Sequence, residues 1–69
     1  MKANEAVDAL KKGTGLVAFR PSWEKGEYLF VTGGNGSAWD VHDTFKKPRT
    51  QKQMLADAEA NDWRVQLLV

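Results

Sequence analysis

Within residues 50–69 the hydrophobic spacing changes once, from a helical repeat to strict alternation, and this change limits the folds open to the rest of the chain. Thr50 and Gln53 stand at capping-box spacing: the Thr50 hydroxyl can accept the Gln53 amide hydrogen, and the Gln53 side chain can reach back to the Thr50 N–H. A helix therefore starts at this point. Its turns put Met54, Leu55 and Ala58 on one face, with Lys52, Asp57 and Glu59 pointing elsewhere, and Asn61, which tolerates left-handed backbone, ends it. From Trp63 the period is two. Trp63, Val65, Leu67 and Val69 share one face and Arg64 and Gln66 the other, as in a strand. A strand this apolar needs cover from a neighbouring strand or from another copy of the chain.

The remaining residues must supply that cover within a small domain. Sixty-nine residues predict a single domain, 1–69, and a domain of this size buries only about 60% of the surface its unfolded chain exposes. With no cysteine, neither a disulfide nor a thiolate metal site is open to it. Three tryptophans and an apolar last strand then favour self-association as the further source of stability, so a homo-oligomer is expected. A net charge of +1 does not point to general nucleic-acid binding. No apolar run nears the roughly 20 residues that span a bilayer, and no signal-peptide pattern opens the chain. The expectation is a cytoplasmic protein with no membrane partner and no cofactor.

Residues 3–12 read as a helix with Asn4 as N-cap, Glu5 at the positive end of the dipole, an apolar stripe of Ala6, Val7, Ala9 and Leu10, and Gly13 as its stop. A first strand follows at 16–20, then a loop at 21–26 that carries Pro21 and Trp23. Residues 27–32 alternate Tyr28 and Phe30 against Leu29 and Val31. Apolar residues on both faces predict a central strand covered on both sides. Asn35-Gly36 predicts a type I′ turn and a returning strand at 37–42, with Trp39 and Val41 on one face. A basic loop at 43–49 leads into the capped helix. The fold class is α+β: an N-terminal helix, an antiparallel sheet of about four strands, and a short second helix before a C-terminal strand.

Few of these residues suggest catalysis. His42 lies between Asp40 and Asp43, but on a strand only Asp40 shares its face, so it reads as a surface histidine with no metal. Ser22 and Ser37 have no nucleophile elbow, and an enzyme is not expected. Glycines 33, 34 and 36 read as turn formers rather than a phosphate cradle. Lys46, Lys47, Arg49 and Lys52 put four cations in seven residues, which is either a phosphate patch or a solvated loop. Trp23 is the sharper signal. In a loop, with Arg20 before it, it can stack a flat base while a cation holds a phosphate, and one stacked base contributes about 1–3 kcal/mol. Nanomolar binding needs about 12 kcal/mol. A second wall is then required, and in so small a domain a second copy of the chain is expected to supply it.

The same residues resemble a known family. Glu5 to Gly13, Val17 and Arg20 with Trp23, Gly26 with the strand from Tyr28 to Val31, Thr50 to Ala56, and Asn61-Asp62-Trp63 with Val65 are together similar to the Thoeris anti-defence two family of small phage proteins. The likeness covers roughly two-thirds of the chain in order. It implies an antiparallel-sheet protomer assembled as a homotetramer, and a non-catalytic activity. That activity is sequestration of a cyclic nucleotide immune signal, a cyclic ADP-ribose isomer made by a TIR-domain protein, so that the downstream effector stays inactive. Carried over residue by residue, Trp23, Arg20, Asn61 and Asp62 become candidates for the ligand pocket, with Trp39 as a further aromatic candidate. The chain departs from the family in two respects: the segment between the hairpin and the second helix is much shorter than in many members, with Gly33 to Asn35 standing where they have an insertion, and the path from Met54-Leu55 to Asp62-Trp63 is longer by about one helical turn. Related sequences have been linked to inhibition of an RNA-guided nuclease. The alternative function is accordingly a protein-binding inhibitor of a host defence complex, with Trp39 and the 46–52 loop as its contact surface.

Overall fold

Both helices are set by local sequence, though not always by the residues expected. In the computed structural model, which describes residues 1–36 and 38–68, α1 spans Ala3–Lys12 and its first turn is capped from within, the Glu5 carboxylate accepting the Lys2 N–H at 2.9 Å. Asn4 is therefore not the N-cap. It lies inside the first turn, because the backbone is already helical at Ala3 and the extended residue is Lys2. Ala6 and Leu10, one turn apart, are the buried positions. Gly13 closes the helix where the Leu16 side chain leaves no room for a Cβ.

Helix α2 spans Gln51–Glu59 and opens with the full capping box: Gln53 N–H donates to Thr50 Oγ1 at 3.1 Å, and Thr50 N–H to Gln53 Oε1 at 2.9 Å. Its inward face is the reverse of the expected one. Met54 and Leu55 are 53% and 57% exposed and Ala58 is also exposed, whereas Asp57 is buried. The cause is the set of donors aimed at Asp57, described below. Nor does Asn61 turn left-handed at the helix end: Ala60 is extended, at φ −70° and ψ 149°, and among the described residues only glycines have positive φ.

Four antiparallel strands, β1 (Leu16–Phe19), β2 (Leu29–Thr32), β3 (Asp40–Asp43) and β4 (Arg64–Leu67), form one sheet in the order β3-β2-β1-β4. The inner position expected of β2 is the one found. β4 pairs with β1 through four residues, Leu16 opposite Leu67 to Phe19 opposite Arg64, and β2 pairs with β3 through four more, while β1 and β2 share the single pair Ala18–Leu29. Beyond the start of β2, Thr44 continues the ladder, its Oγ1 accepting the Tyr28 N–H at 3.0 Å and its own N–H donating to the Tyr28 carbonyl at 3.2 Å.

The β2–β3 connection corrects the type I′ expectation. Thr32 pairs with Asp40, so the loop runs over 33–39, and Asn35 does not take the positive φ that a type I′ turn demands. A two-residue turn at Asn35-Gly36 would have put Gly33 and Gly34 into the ladder, where glycine pairs weakly. Instead Gly33, at φ +106°, turns the chain, and Gly34 lies so close to the Trp39 indole that no side chain fits between them. The returning strand starts at Asp40 rather than 37. Ser37 and Val69, assigned above to the third and last strands, lie outside the described residues.

One face of the sheet is roofed. Leu16, Ala18, Leu29, Val31 and Val65 pack with Ala6 and Leu10 of α1 and with Trp63, which is 5% exposed. On the opposite face, Val17, Phe19, Phe30, His42 and Leu68 have no helix above them. Phe30 stacks on His42 with centroids 5.1 Å apart, and Thr32 Oγ1 lies 2.7 Å from His42 Nε2. β2 is thus covered on one side, not both as expected, and Tyr28 and Phe30 are half-buried by lateral neighbours alone. No helix among the described residues is long and apolar enough to cross a membrane.

Candidate functional site

Where β1 ends, the chain folds back through two consecutive turns. Trp23 N–H donates to the Arg20 carbonyl at 2.9 Å and Glu27 N–H to the Glu24 carbonyl at 3.0 Å, which returns the Trp23 ring toward α2. There it meets Trp63 and Phe45 edge-on, with centroids 5.0 and 4.9 Å away. Phe45 thus packs directly against the Trp23 ring within one chain. The Arg49 guanidinium lies 5.5 Å from the Trp23 ring and 4.9 Å from Phe45.

Asp57 holds this cluster together. Its Oδ1 accepts from Arg20 Nη1 at 2.8 Å and from Trp23 Nε1 at 3.2 Å, its Oδ2 accepts from Arg49 Nη2, and its backbone carbonyl accepts from Trp63 Nε1 at 2.7 Å. Burial alone pushes the carboxyl's pKa up. The hydrogen bonds from Arg20, Arg49 and Trp23 outweigh that and hold it below the ordinary carboxylate value. These donors explain why a carboxylate occupies the inward face of α2: a buried charge persists only where it is paired.

The structure brings Arg20, Trp23 and Asp62 together, but as partners of one another. Arg20 Nε and Nη2 reach the two Asp62 oxygens at 2.8 and 3.5 Å, and its Nη1 is on Asp57. Hydrogen bonding to Asp62 and then Asp57 raises the Arg20 pKa further, and the Arg20 hydrogen bond lowers that of Asp62. Asn61 is exposed beside Asp62. Trp39 does not join them: it is 39% exposed at the far end of the β2–β3 hairpin, against Gly34. Sequence reasoning missed Asp57, Phe45 and the placement of Arg49. The basic run did mark Arg49, but nothing local marks Asp57, whose partners lie 8, 34 and 37 positions away.

Two clefts meet at the 46–49 loop. One, of about 630 Å³, opens between α1, α2 and the loop and is lined on its apolar side by Val7, Leu29 and Met54. The other, of about 660 Å³, lies on the loop's far side against Ser22, Lys25 and Gln53. Trp23, Lys46, Lys47, Pro48 and Arg49 line both. Each volume falls within the range of about 300–1,000 Å³ usual for small-molecule sites. The arrangement suits a ligand with a flat apolar part and an anionic part. His42 lies on the opposite sheet face with Thr32, away from both clefts. Among the described residues no group of three or more His, Cys, Asp or Glu is arranged to hold a metal ion. No family model, no curated protein and no solved structure matches the chain.

Proposed function

We propose that this chain is a non-catalytic binder that sequesters a cyclic nucleotide immune signal, in the manner implied by its resemblance to the Thoeris anti-defence two family. The observation that carries this reading is the corner formed by Trp23, Phe45 and Arg49, which stands between two clefts and next to two exposed lysines. Adenine rests against the aromatic walls, and the phosphates of a cyclic ADP-ribose isomer lie along the cationic rim of the 46–49 loop. Arg20 and Asp62, engaged with each other, brace the site instead of touching the ligand. Self-association belongs to the same reading. The unroofed face, on which Leu68 is exposed and Phe19, Tyr28 and Phe30 are half-buried, suits a second copy packed sheet on sheet, as in the homotetramer of the resemblance.

The test is capture and release. The protein is incubated with a mixture of cyclic nucleotides, washed and heat-denatured, and the supernatant is read by mass spectrometry. Recovery of one intact nucleotide at stoichiometric yield supports the reading, and an empty supernatant or a cleaved product refutes it. A second reading, inhibition of a host defence complex by protein contact, is favoured by the exposed Trp39, which lies apart from both clefts. In that case Trp39→Ala removes inhibition and Trp23→Phe does not.

A further inference from the structure

The three asparagines of the chain stand in unlike settings. Asn4 lies in the first turn of α1, ahead of Glu5, and Asn61 precedes Asp62, whose carboxylate is held by Arg20. Asn35 is in the 33–39 loop, beyond the Thr32–Asp40 pair that ends the ladder, and the residue after it is glycine. Asn35 and Gly36 are both exposed, and among the described residues no backbone hydrogen bond engages the Gly36 N–H. The space where a Gly36 side chain would stand is open as well, with nothing beyond its chain neighbours within 4 Å.

An asparagine in such a setting can react with its own backbone. Once hydroxide has taken its proton, the Gly36 nitrogen can attack Asn35 Cγ, since the two atoms close a five-membered ring. A side chain on the following residue would crowd that approach, and Gly36 has none. A helix or a paired strand would hold the nitrogen in a hydrogen bond and the backbone in one conformation; the loop does neither, and glycines on both sides of Asn35 give the chain freedom to close the ring. The fold also tolerates the product. Positive φ in this loop falls on Gly33, Gly34 and Gly36, and Asn35 has none to maintain.

We propose that Asn35 is a self-modification site: in the folded protein it deamidates through a succinimide to a mixture of aspartate and isoaspartate. A bond forms between the Gly36 nitrogen and Asn35 Cγ, the Cγ–Nδ2 bond breaks, and Nδ2 leaves as ammonia, taking a proton from water and regenerating the hydroxide. Water then opens the imide. Opening at Cγ leaves aspartate, and opening at the main-chain carbonyl leaves isoaspartate, whose backbone runs through Cβ and Cγ. Either product adds one negative charge to a chain of net charge +1. The change falls next to Gly34, on which the Trp39 indole rests, and neither cleft is lined by this loop, so the inference stands apart from the nucleotide reading.

The experiment follows the reaction in the folded protein and in protein unfolded by guanidinium chloride, both held at mildly alkaline pH, sampled over days and digested briefly with trypsin. The peptide 26–46 carries Asn35 as its only asparagine, and chromatography with mass spectrometry separates its asparagine, aspartate and isoaspartate forms. The expected result is conversion of Asn35 to both products while Asn4 and Asn61 stay intact. Protection of the Gly36 nitrogen by the fold would slow the reaction by the free energy of opening the loop, so the folded rate should lie within about tenfold of the unfolded one. Asn35→Gln, whose attack would close a larger ring, should abolish the conversion and keep the fold, since the side chain is exposed. A folded rate lower than that, aspartate without isoaspartate, or Asn4 or Asn61 reacting as fast as Asn35 overturns the proposal, and the wild-type comparison decides whatever the variant does.

Discussion

Replacing Asp57 with asparagine keeps the shape of the side chain and removes its charge, so the stability lost measures what the carboxylate contributes at the centre of the cluster. Asparagine retains one oxygen, enough for Arg20 Nη1 and the Trp23 N–H, but sets an amide donor against the Arg49 guanidinium. Removing one partner of a buried ion pair costs about 3–5 kcal/mol, and an exposed pair contributes about 1 kcal/mol or less. With the Arg49 and Asp57 side chains 19% and 11% exposed, this pair lies nearer the buried limit. A loss of about 3 kcal/mol follows, since one hydrogen bond to a charged group is itself worth about 1.5–3 kcal/mol. At about 0.05–0.15 kcal/mol per residue, a chain this short has a total stability of roughly 3–10 kcal/mol, so a third or more is removed. Thermal midpoints of small domains move about 4–8 °C per kcal/mol, which predicts a fall of at least about 12 °C. Urea unfolding read by tryptophan fluorescence suits the measurement, because Trp23 and Trp63 both donate to Asp57. The decisive control is the Arg49→Leu background, in which the asparagine substitution should cost less by about 1.5 kcal/mol or more. A cost within about 0.5 kcal/mol of zero, the usual range for surface substitutions, or one that is the same in both backgrounds, refutes the role given to the carboxylate.

Four further outcomes are expected. Because the folded pKa of Asp57 is lowered from the ordinary value of about 3.9, its contribution is complete above that value and is lost as pH falls through the folded pKa. Stability measured by urea unfolding should hold down to about pH 5 and drop below about pH 4; Asp57→Asn should shrink the drop and leave the part that belongs to Asp62, also lowered by Arg20. Thr50→Ala removes the cap of α2 and should cost about 1 kcal/mol with loss of helical circular dichroism. Gly33→Ala forces an L side chain to φ +106° with its Cβ 2.6 Å from the Ala38 carbonyl oxygen, and a loss of about 1–2 kcal/mol is expected; unchanged stability would refute the loop geometry. If the proposed function holds, Trp23→Ala should abolish nucleotide capture and cost about 3 kcal/mol of stability while leaving the protein's sedimentation coefficient unchanged, whereas Trp23→Phe, which keeps an aromatic ring and loses only the N–H to Asp57, should retain measurable capture.

Sequence reasoning succeeded where the determinants are close along the chain. The capping box of α2 joins residues three apart, and α1 runs over 3–12 as its apolar stripe and Gly13 require. The strands follow from alternation, which is also local, and the inner position of β2 from its apolar residues on both faces, although only one face is roofed. The failures share a cause. In the nine residues of α2, Met54, Leu55 and Ala58 suggest an apolar face, but the side that turns inward is fixed by arginines from the end of β1 and from the 46–49 loop. Spacing cannot reveal a contact made across 37 positions. Asn35-Gly36 failed for a related reason: the turn it favours in isolation would have placed two glycines in the ladder and left Trp39 without its seat on Gly34. In the site itself, Trp23, Arg20 and Asp62 were legible as a group. That Arg20 and Asp62 bind each other was not, because the sequence marks a residue as polar without marking its partner.

The lone Ala18–Leu29 rung gives the sheet a grain. Two ribbons, each held by four rungs, adjoin along a line that the backbone stitches once, so the bracing across it comes from elsewhere: α1 lying over both, and the Arg49–Asp57 clamp. Shear between the ribbons breaks one rung, while shear within either breaks four. The 46–49 loop follows one ribbon and Asp57 leads into the other, so the clamp bridges the line that the sheet crosses with a single rung. Cutting the Arg49–Asp57 pair would remove the only side-chain tie described between that loop and α2, leaving α1 to hold the two ribbons together.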